Sequence, residues 1–521
     1  MYKDSRRSFL RQTSQVALAS LLPTSLWAFS GKSSKASVHV HLNQSRGTIE
    51  PEIYGQFIEY LGRSITGGIV DAKTNQVRND VLAKVKRLAP PVLRFPGGTV
   101  TKIYHWQDGV GPKANRPVRP NLIWGGEENN QFGTNEFIQY CRQLKTDPFL
   151  VVNMNTGTPE EASNWVEYCN GKGKTSFAEL RRKHGFANAH GVKYWGLGNE
   201  ENAGPDTGRL QNPAAYAEMA WQFAKLMKLQ DPTLSLIIAG HDEKWNEIVL
   251  KELHPIADYI SMHLYASSKK GQPATLFTQL AGFEKQIEQT HEQIKRLAPE
   301  KVEKFDRWYR FPPRAKGVKL AIDEWGIWES EGKGAYNLEV TYQWFHALGV
   351  ASFLNIFQRQ AEIVTMATWA QTVNVLAPIL SNDHESICQT VFYPLELYRQ
   401  YCKGVSLTAE VKSEALRQSG GEDLPMLDSS ASFDEKTGLA TLALVNRHPE
   451  TAIETTIVWE GNTKLNLFER HELTATGFTA YNTLDDPKKD VVHYQKTAVT
   501  NNPPTITVSP ASITLLRYKV G

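Results

Sequence analysis

Between residues 53 and 369, eight short apolar runs alternate with longer helical stretches, and this rhythm restricts the fold of the 521-residue chain more than any other feature. The runs cover residues 53–57, 92–95, 149–153, 194–197, 234–239, 259–264, 318–323 and 363–368. Each is short and rich in β-branched or aromatic side chains, as a buried strand requires. Amphipathic segments such as 133–144, 214–229 and 276–297 lie between them. Alternation of this kind covers a parallel sheet with helices, and eight repeats close the sheet into a (β/α)8 TIM barrel. In such barrels the chemistry sits at the C-terminal ends of the strands.

After about residue 397 the pattern changes to short alternating runs at 439–445, 453–459, 464–468 and 505–520, separated by turn signals such as Lys436-Thr-Gly and Glu460-Gly-Asn. This predicts an all-β sandwich. The run Val38-His-Val-His-Leu42 alternates in the same way and is expected to pair into that sandwich from the other end of the chain. The expected division is a leader at 1–30, an N-terminal strand at 31–48, a barrel at 49–395 and a sandwich at 396–521.

The leader reads as an export address. Ser5-Arg-Arg-Ser-Phe-Leu10 is a twin-arginine motif, and residues 16–29 form a modest apolar stretch broken by Pro23. A permanent anchor needs about 20 apolar residues, so cleavage near residues 28–30 is expected over an uncleaved anchor. A periplasmic or secreted bacterial protein follows, free of the membrane once the leader is removed. Net charge is +3 with no long basic run, which argues against nucleic-acid binding. Cys141, Cys169, Cys388 and Cys402 have spacings that suit neither a zinc site nor a disulfide framework, and buried thiols are expected. Gly171-Lys-Gly-Lys-Thr-Ser176 lacks the first glycine of a phosphate loop, since position 168 is Tyr168. His291-Glu292 has no second histidine four residues on. Both read as surface features.

Two glutamates lie at strand ends, Glu200 after the fourth run (Tyr194-Trp-Gly-Leu-Gly-Asn-Glu200) and Glu324 after the seventh (Val318-Lys-Leu-Ala-Ile-Asp-Glu324). A carboxyl pair delivered by two distant strand ends can cleave a glycosidic bond, one member protonating the leaving oxygen while the other attacks or activates water. Strand alternation selects Glu324 over Asp323 for the barrel mouth and sends Asp323 towards the helix layer. It does not separate Glu200 from Glu201, because the strand has ended there. His263 and Tyr265, at the end of the sixth run, share a face and can both reach the mouth.

Several segments together resemble the α-L-arabinofuranosidases of glycoside hydrolase family 51. They are Ile53-Tyr-Gly-Gln-Phe-Ile-Glu-Tyr-Leu-Gly-Arg63, Leu93-Arg-Phe-Pro-Gly-Gly98, Tyr104-His-Trp-Gln-Asp-Gly-Val-Gly-Pro112, Asn153-Met-Asn-Thr-Gly-Thr-Pro-Glu-Glu161, Trp195-Gly-Leu-Gly-Asn-Glu200, Ser261-Met-His-Leu-Tyr265, Asp323-Glu-Trp-Gly326 and Ala370-Gln-Thr-Val-Asn-Val375. The resemblance implies a retaining exo-glycosidase that releases non-reducing terminal α-L-arabinofuranosyl residues from oligo- or polysaccharides. Glu324 would be the nucleophile. Glu200 would be the acid/base, protonated near neutral pH until the negative charge of Glu324 is consumed in the glycosyl ester. The resemblance further implies that Glu59, Asn199 and Gln371 bind furanose hydroxyls, that Trp106 walls the leaving-group side, and that Tyr265 bonds the nucleophile with His263 nearby. No cofactor or metal is implied, and a hexamer is the expected assembly.

Two positions depart from the family pattern: Thr99 stands where a sugar-binding Asn is usual, and Tyr60 where a His is usual. They leave open another furanoside, or an endo-glucanase built on the same pair. A non-catalytic sugar-binding protein is the alternative of a different class.

Overall fold

The computed structural model describes residues 34–202, 212–269, 272–302, 310–329, 332–416, 424–461 and 464–520. The twin-arginine leader lies outside the described residues. Among the described residues, no helix is long and apolar enough to cross a membrane.

Eight parallel strands close into a barrel in chain order: Gly55–Phe57, Val92–Phe95, Asp147–Val152, Tyr194–Leu197, Ser235–Ile238, Tyr259–Ala266, Lys319–Ile327 and Val364–Ala370. Each strand pairs with the next, and the eighth pairs with the first. Every apolar run of the sequence therefore became a barrel strand, with ends moved by up to four residues. The lower interior is filled by Val92, Phe149, Val151, Tyr194, Ile237, Ala321 and Met366, a cluster separate from the main core. Two residues beyond Val92, Val151, Ala321 and Met366 stand Arg94, Asn153, Asp323 and Thr368, so the dry plug gives way to polar side chains above it on these strands.

The second layer is one nine-stranded sheet. Its order is Val492–Ala498, Leu465–Ala475, Ser512–Val520, Leu439–Asn446, Leu427–Asp434, Gly404–Ser413, Ser34–Ile49, Ile453–Glu460 and Thr505–Val508. The N-terminal strand pairs antiparallel with Gly404–Ser413 and parallel with Ile453–Glu460, so the sandwich is built from both ends of the chain. Pro510 and Ala511 split the expected 505–520 run in two. These halves pair in different parts of the sheet, because proline donates no ladder hydrogen bond.

Helix Trp344–Arg359 joins the two layers. Its residues from Trp344 to Gln358 are all buried, which a helix needs when it lies between a barrel and a sheet. Where it meets the sandwich, the contact is ionic. Arg359 pairs with Glu284 at 2.7 Å and with Asp428 at 3.0 Å; Arg447 reaches Asp428 at 3.2 Å, and Asn355 donates to it at 2.8 Å. The four cysteines are buried free thiols.

A buried carboxylate shared by two guanidiniums is hard to remove without leaving charge unpaired. Asp428→Ala is expected to lower unfolding stability by about 3–5 kcal/mol. Urea denaturation followed by tryptophan fluorescence measures this, and a change below 1 kcal/mol would refute the clamp role.

Candidate active site

The upper layer of the barrel is organised around Arg94. Val92 and Arg94 share a face of the second strand, so once Val92 enters the plug, the Arg94 guanidinium stands directly above it. The side chain is buried. One terminal nitrogen donates to Glu324 Oε1 at 2.7 Å, the other donates to Asn199 Oδ1 at 2.6 Å, and Nε lies 3.4 Å from Asp323 Oδ2. The plane also rests on Phe57, 4.7 Å from the ring centroid. Strands two, four and seven are thus joined through one cation. Nothing assigned Arg94 from the sequence, although its place in the buried quartet Val-Leu-Arg-Phe demanded a charged partner.

Strand seven corrects the alternation argument. Ala321 pairs with Ser261 and Glu324 with His263, so three steps on one strand oppose two on its neighbour. This is a β-bulge: Asp323 keeps the interior face of Ala321, and the extra residue turns Glu324 inward beside it. Asp323 therefore faces the polar centre rather than the helix layer. It accepts a short hydrogen bond from Ser261 and lies 3.4 Å from His263 Nε2. Burial alone would raise its pKa, but Arg94 and then His263 hold it below the usual carboxylate range. Trp325, next along, packs outward against Phe353 and Phe357 of helix Trp344–Arg359.

The turn after strand four settles which neighbouring glutamate faces the mouth. Gly198 has φ 78°, and a Cβ there would fall 2.4 Å from Glu201 Oε1. Glu201 is fully buried and accepts from Asn155 at 2.8 Å and from the Asn199 amide at 3.2 Å. Glu200 adopts a left-handed conformation, φ 45°, that costs a non-glycine residue about 1 kcal/mol. The buried Lys102 ammonium holds it there by donating to the Glu200 carbonyl at 3.1 Å. The Glu200 carboxylate then meets His263 Nδ1 at 2.8 Å, and that nitrogen is also 3.5 Å from Glu324 Oε2. One carboxylate oxygen from each glutamate lies within 4.8 Å of the other.

His263 stands among three carboxylates. Burial opposes its charge, yet Glu324, Asp323 and Glu200 hold its pKa well above the ordinary imidazole value. For Glu200, burial is outweighed by the hydrogen bond to His263 and by its charge, and the carboxyl lies below its ordinary value. The direction of this shift is opposite to the one expected for a proton donor, and its cause is the neighbouring His263. Glu200 is also the more open of the two acids, its side chain 37% exposed against 8% for Glu324. On the other side, the Tyr265 hydroxyl donates to Glu324 Oε2 at 2.7 Å.

Glu59, from the loop after strand one, forms the third wall. It accepts from the Val100 amide at 3.0 Å, from Trp124 Nε1 at 3.0 Å and from Gln371 Nε2 at 2.9 Å. Burial and the nearby Glu324 raise its pKa to about 7. A Cβ on Gly98 would lie 2.7 Å from Glu324 Oε1 and 3.4 Å from Glu59 Oε2, so glycine leaves the space between these acids open. Thr99 follows it and starts the turn Thr99–Ile103 that supplies the Val100 amide. Two buried polar atoms here, Asn199 Nδ2 and Gln371 Oε1, have no hydrogen-bond partner among the described residues. Buried unpaired donors and acceptors are costly unless a ligand completes them.

The expected site residues thus converge, with one exception. Trp106 is buried, its ring parallel to Trp165 at 6.2 Å and packed on Tyr168, while its indole N–H donates to the Glu161 carbonyl. It is packed into the core between these loops. Trp124 holds the position at the pocket instead. No periodicity marks Trp124, which lies in the irregular segment Asn121-Leu-Ile-Trp-Gly-Gly126. Tyr60 is buried too, its hydroxyl bonded to the Phe132 carbonyl and its ring stacked on Tyr104, so that departure from the family pattern is absorbed by packing.

A TIM barrel that sets two acids from strands four and seven across one small polar cleft defines the glycosidase class. The comparisons narrow it. Residues 84–293 match the alpha-L-arabinofuranosidase 1 domain and residues 323–512 match the alpha-L-arabinofuranosidase C-terminal domain. The chain is 37% identical to a probable alpha-L-arabinofuranosidase C of Aspergillus flavus, over 93% of this chain and 97% of the relative. It is 31% identical to an intracellular exo-alpha-(1->5)-L-arabinofuranosidase 1 of Bacillus subtilis, over 93% and 99%. The solved GH51 alpha-L-arabinofuranosidase of Thermotoga petrophila superposes with a TM-score of 0.83 at 33% identity, over 93% of this chain and all of that one. The chain belongs to the α-L-arabinofuranosidases of glycoside hydrolase family 51.

The raised pKa of Glu59 has a thermodynamic consequence. Its folded value, about 7, exceeds the ordinary 4.5, so between these values the folded state holds a proton that the unfolded chain has lost. The stability this contributes is fully present below about pH 4.5 and lost as pH rises through about 7, roughly 3 kcal/mol in all. Glu128, also raised to about 7 by burial, acts in the same window. Glu59→Gln is expected to flatten the fall in urea midpoint between pH 4.5 and 7.5; an unchanged slope would contradict the assignment.

Proposed function

We propose that the protein is a retaining, exo-acting α-L-arabinofuranosidase that removes non-reducing terminal arabinofuranosyl groups from oligo- or polysaccharides. The observation that carries this reading is the short gap between Glu200 and Glu324, whose nearest carboxylate oxygens lie within 4.8 Å. Retaining enzymes hold their carboxyls about 5–5.5 Å apart, and inverting enzymes need several ångströms more to admit water.

In this reading Glu324 is the nucleophile. Arg94 and Tyr265 each give one of its oxygens a hydrogen bond, fixing the direction of attack on the anomeric carbon. The His263–Glu200 pair delivers its proton through Glu200 to the leaving oxygen. When the glycosyl ester forms, Glu324 loses its charge, the main reason for the raised imidazole pKa weakens, and Glu200 takes a proton from the incoming water. Glu59, Asn199 and Gln371 bind the furanose hydroxyls, the unpaired Asn199 Nδ2 and Gln371 Oε1 supplying one donor and one acceptor. Thr99 borders the same pocket. None of these steps draws on a cofactor or metal.

The reading also includes export by the twin-arginine leader at 1–30 to the periplasm or medium, the domain division at 48/49 and 395/396, and assembly into a hexamer. The export motif supports the first. The relatives differ here, since one is named intracellular.

Glu324→Ala is expected to lower kcat/KM on a nitrophenyl α-L-arabinofuranoside by on the order of 10^4-fold or more. Glu200→Ala should cost about 10^2- to 10^4-fold on an arabino-oligosaccharide and far less on an activated aryl glycoside, whose leaving group needs little protonation. Proton NMR in heavy water should show the α-anomer first. An initial β-product, or wild-type rates in Glu324→Ala, would end the proposal.

Arg94→Lys keeps the charge but loses the two-pronged contact to Glu324 and Asn199. A fall in kcat of about 10^2-fold is expected from the misplaced nucleophile, with the fold retained by circular dichroism. Activity within threefold of wild type would show that Arg94 does not position it.

A further inference from the structure

Three side chains at the barrel mouth converge on one point. His263 Nδ1 lies 2.8 Å from Glu200 Oε1 and 3.5 Å from Glu324 Oε2. One donor atom from each of the three residues lies within 4.8 Å of the others. Glu200 follows strand four, while His263 and Glu324 face each other in register on strands six and seven, so barrel closure fixes their spacing. A tetrahedral zinc ion, bound at about 2.0–2.2 Å, keeps its nitrogen and oxygen donors about 3.3–3.6 Å apart. The separation between His263 and Glu324 already falls in that range. The contact between His263 and Glu200 reaches it with a shift of about 0.5 Å, and Glu200 is the more open of the two acids.

The groups behind these donors are those a bound metal needs. With Nδ1 turned to an ion, the imidazole carries its hydrogen on Nε2, which lies 3.4 Å from Asp323 Oδ1. Ser261 donates to that same oxygen and holds it in place. A carboxylate behind a ligating histidine fixes the ring and strengthens its donor nitrogen. Arg94 donates to Glu324 Oε1 at 2.7 Å, which orients the carboxylate and leaves Oε2 towards His263. Oε2 accepts from Tyr265 and keeps a second lone pair. Asp323, Glu200 and Glu324 outnumber Arg94 and Lys102, the cations that contact them, so the centre attracts positive charge.

We propose that Glu200, His263 and Glu324 form a binding site for one zinc ion, and that zinc held there blocks the cleft reversibly. One imidazole and two carboxylates suit zinc, whereas magnesium and calcium require about six or more oxygen ligands. The ion takes the place of the hydrogen between His263 and Glu200, and that proton passes to solvent. The fourth position is left to water on the open side of Glu200. Binding stands on the geometry alone. Its effect on turnover rests on the reading of Glu200 and Glu324 as the catalytic pair, since a metal-bound carboxylate neither attacks an anomeric carbon nor protonates a leaving oxygen.

The test titrates the metal-free protein with zinc chloride by calorimetry in a non-chelating buffer. One ion should bind at this centre, and magnesium in large excess should not displace it. Glu200→Gln and His263→Ala, with the fold checked by circular dichroism, should each weaken zinc binding by at least about 10- to 100-fold, the loss that outer-shell partners alone produce. Asp323→Asn should weaken it by about 10-fold. On a nitrophenyl arabinofuranoside, zinc should raise KM, leave kcat unchanged and be reversed by a chelator. Absence of binding, or unchanged affinity in both Glu200→Gln and His263→Ala, would overturn the site. So would binding lost only in His41→Ala, because the ion would then sit on the sandwich, where His39 and His41 share Glu460. Zinc that binds at this centre yet leaves turnover untouched would uphold the site and overturn the reading of the two glutamates as the catalytic pair.

Discussion

Arg94 lies where a barrel can least tolerate an unpaired charge. Its guanidinium is buried above an apolar plug, so its charge persists only because Asp323, Glu324 and Asn199 surround it and Phe57 lies against its face. The dependence runs in both directions. Two adjacent acids meet this one cation, because the bulge turns Glu324 inward beside Asp323. Three strands far apart in sequence are thereby fixed relative to one another at the level where the reaction takes place.

The mouth divides around this cation. At the ends of strands six, seven, eight and one lie Tyr265, Glu324, Gln371 and Glu59, the groups we propose grip a sugar ring and attack it. Strands two to four carry Glu200, the proposed acid, and its supports. Lys102 fixes the left-handed turn at Glu200, and Glu201 is drawn inwards by Asn155. His263 bridges the halves by sharing its proton with Glu200 while remaining 3.5 Å from Glu324. A change of charge on either glutamate is therefore felt by the other through a single ring. This is the physical link between the two steps of a double displacement.

Among the described residues the sandwich contributes no side chain to this centre, yet the barrel is closed against it by helix Trp344–Arg359. Trp325, the residue after Glu324, packs on Phe353 and Phe357 of that helix. The same helix reaches Asp428 and Ser430 of the sheet through Arg359 and Asn355. The strand that carries Glu324 is thus backed by a helix whose other face is clamped by buried ion pairs.

Periodicity and end signals specified the eight strands, the β-rich second domain, the pairing of the N-terminal strand and the placing of Glu200 and Glu324 at strand ends, because these depend on local burial that recurs every second residue. Whatever depended on departure from that period had to wait for the fold. The placing of Asp323 and Glu324 on one inner face comes from one extra residue in a ladder, and register between strands is a property of pairs of strands. The exchange of Trp106 for Trp124 is a choice between two loop indoles, decided by which of them the neighbouring loops enclose. Arg94 was visible as a charge in an apolar run, but its partners lie more than a hundred residues away, and only closure of the barrel brings them within hydrogen-bond distance. The directions in which the pKa values of His263 and Glu200 shift were likewise beyond sequence, since they follow from the carboxylates that the closed barrel gathers around a single imidazole.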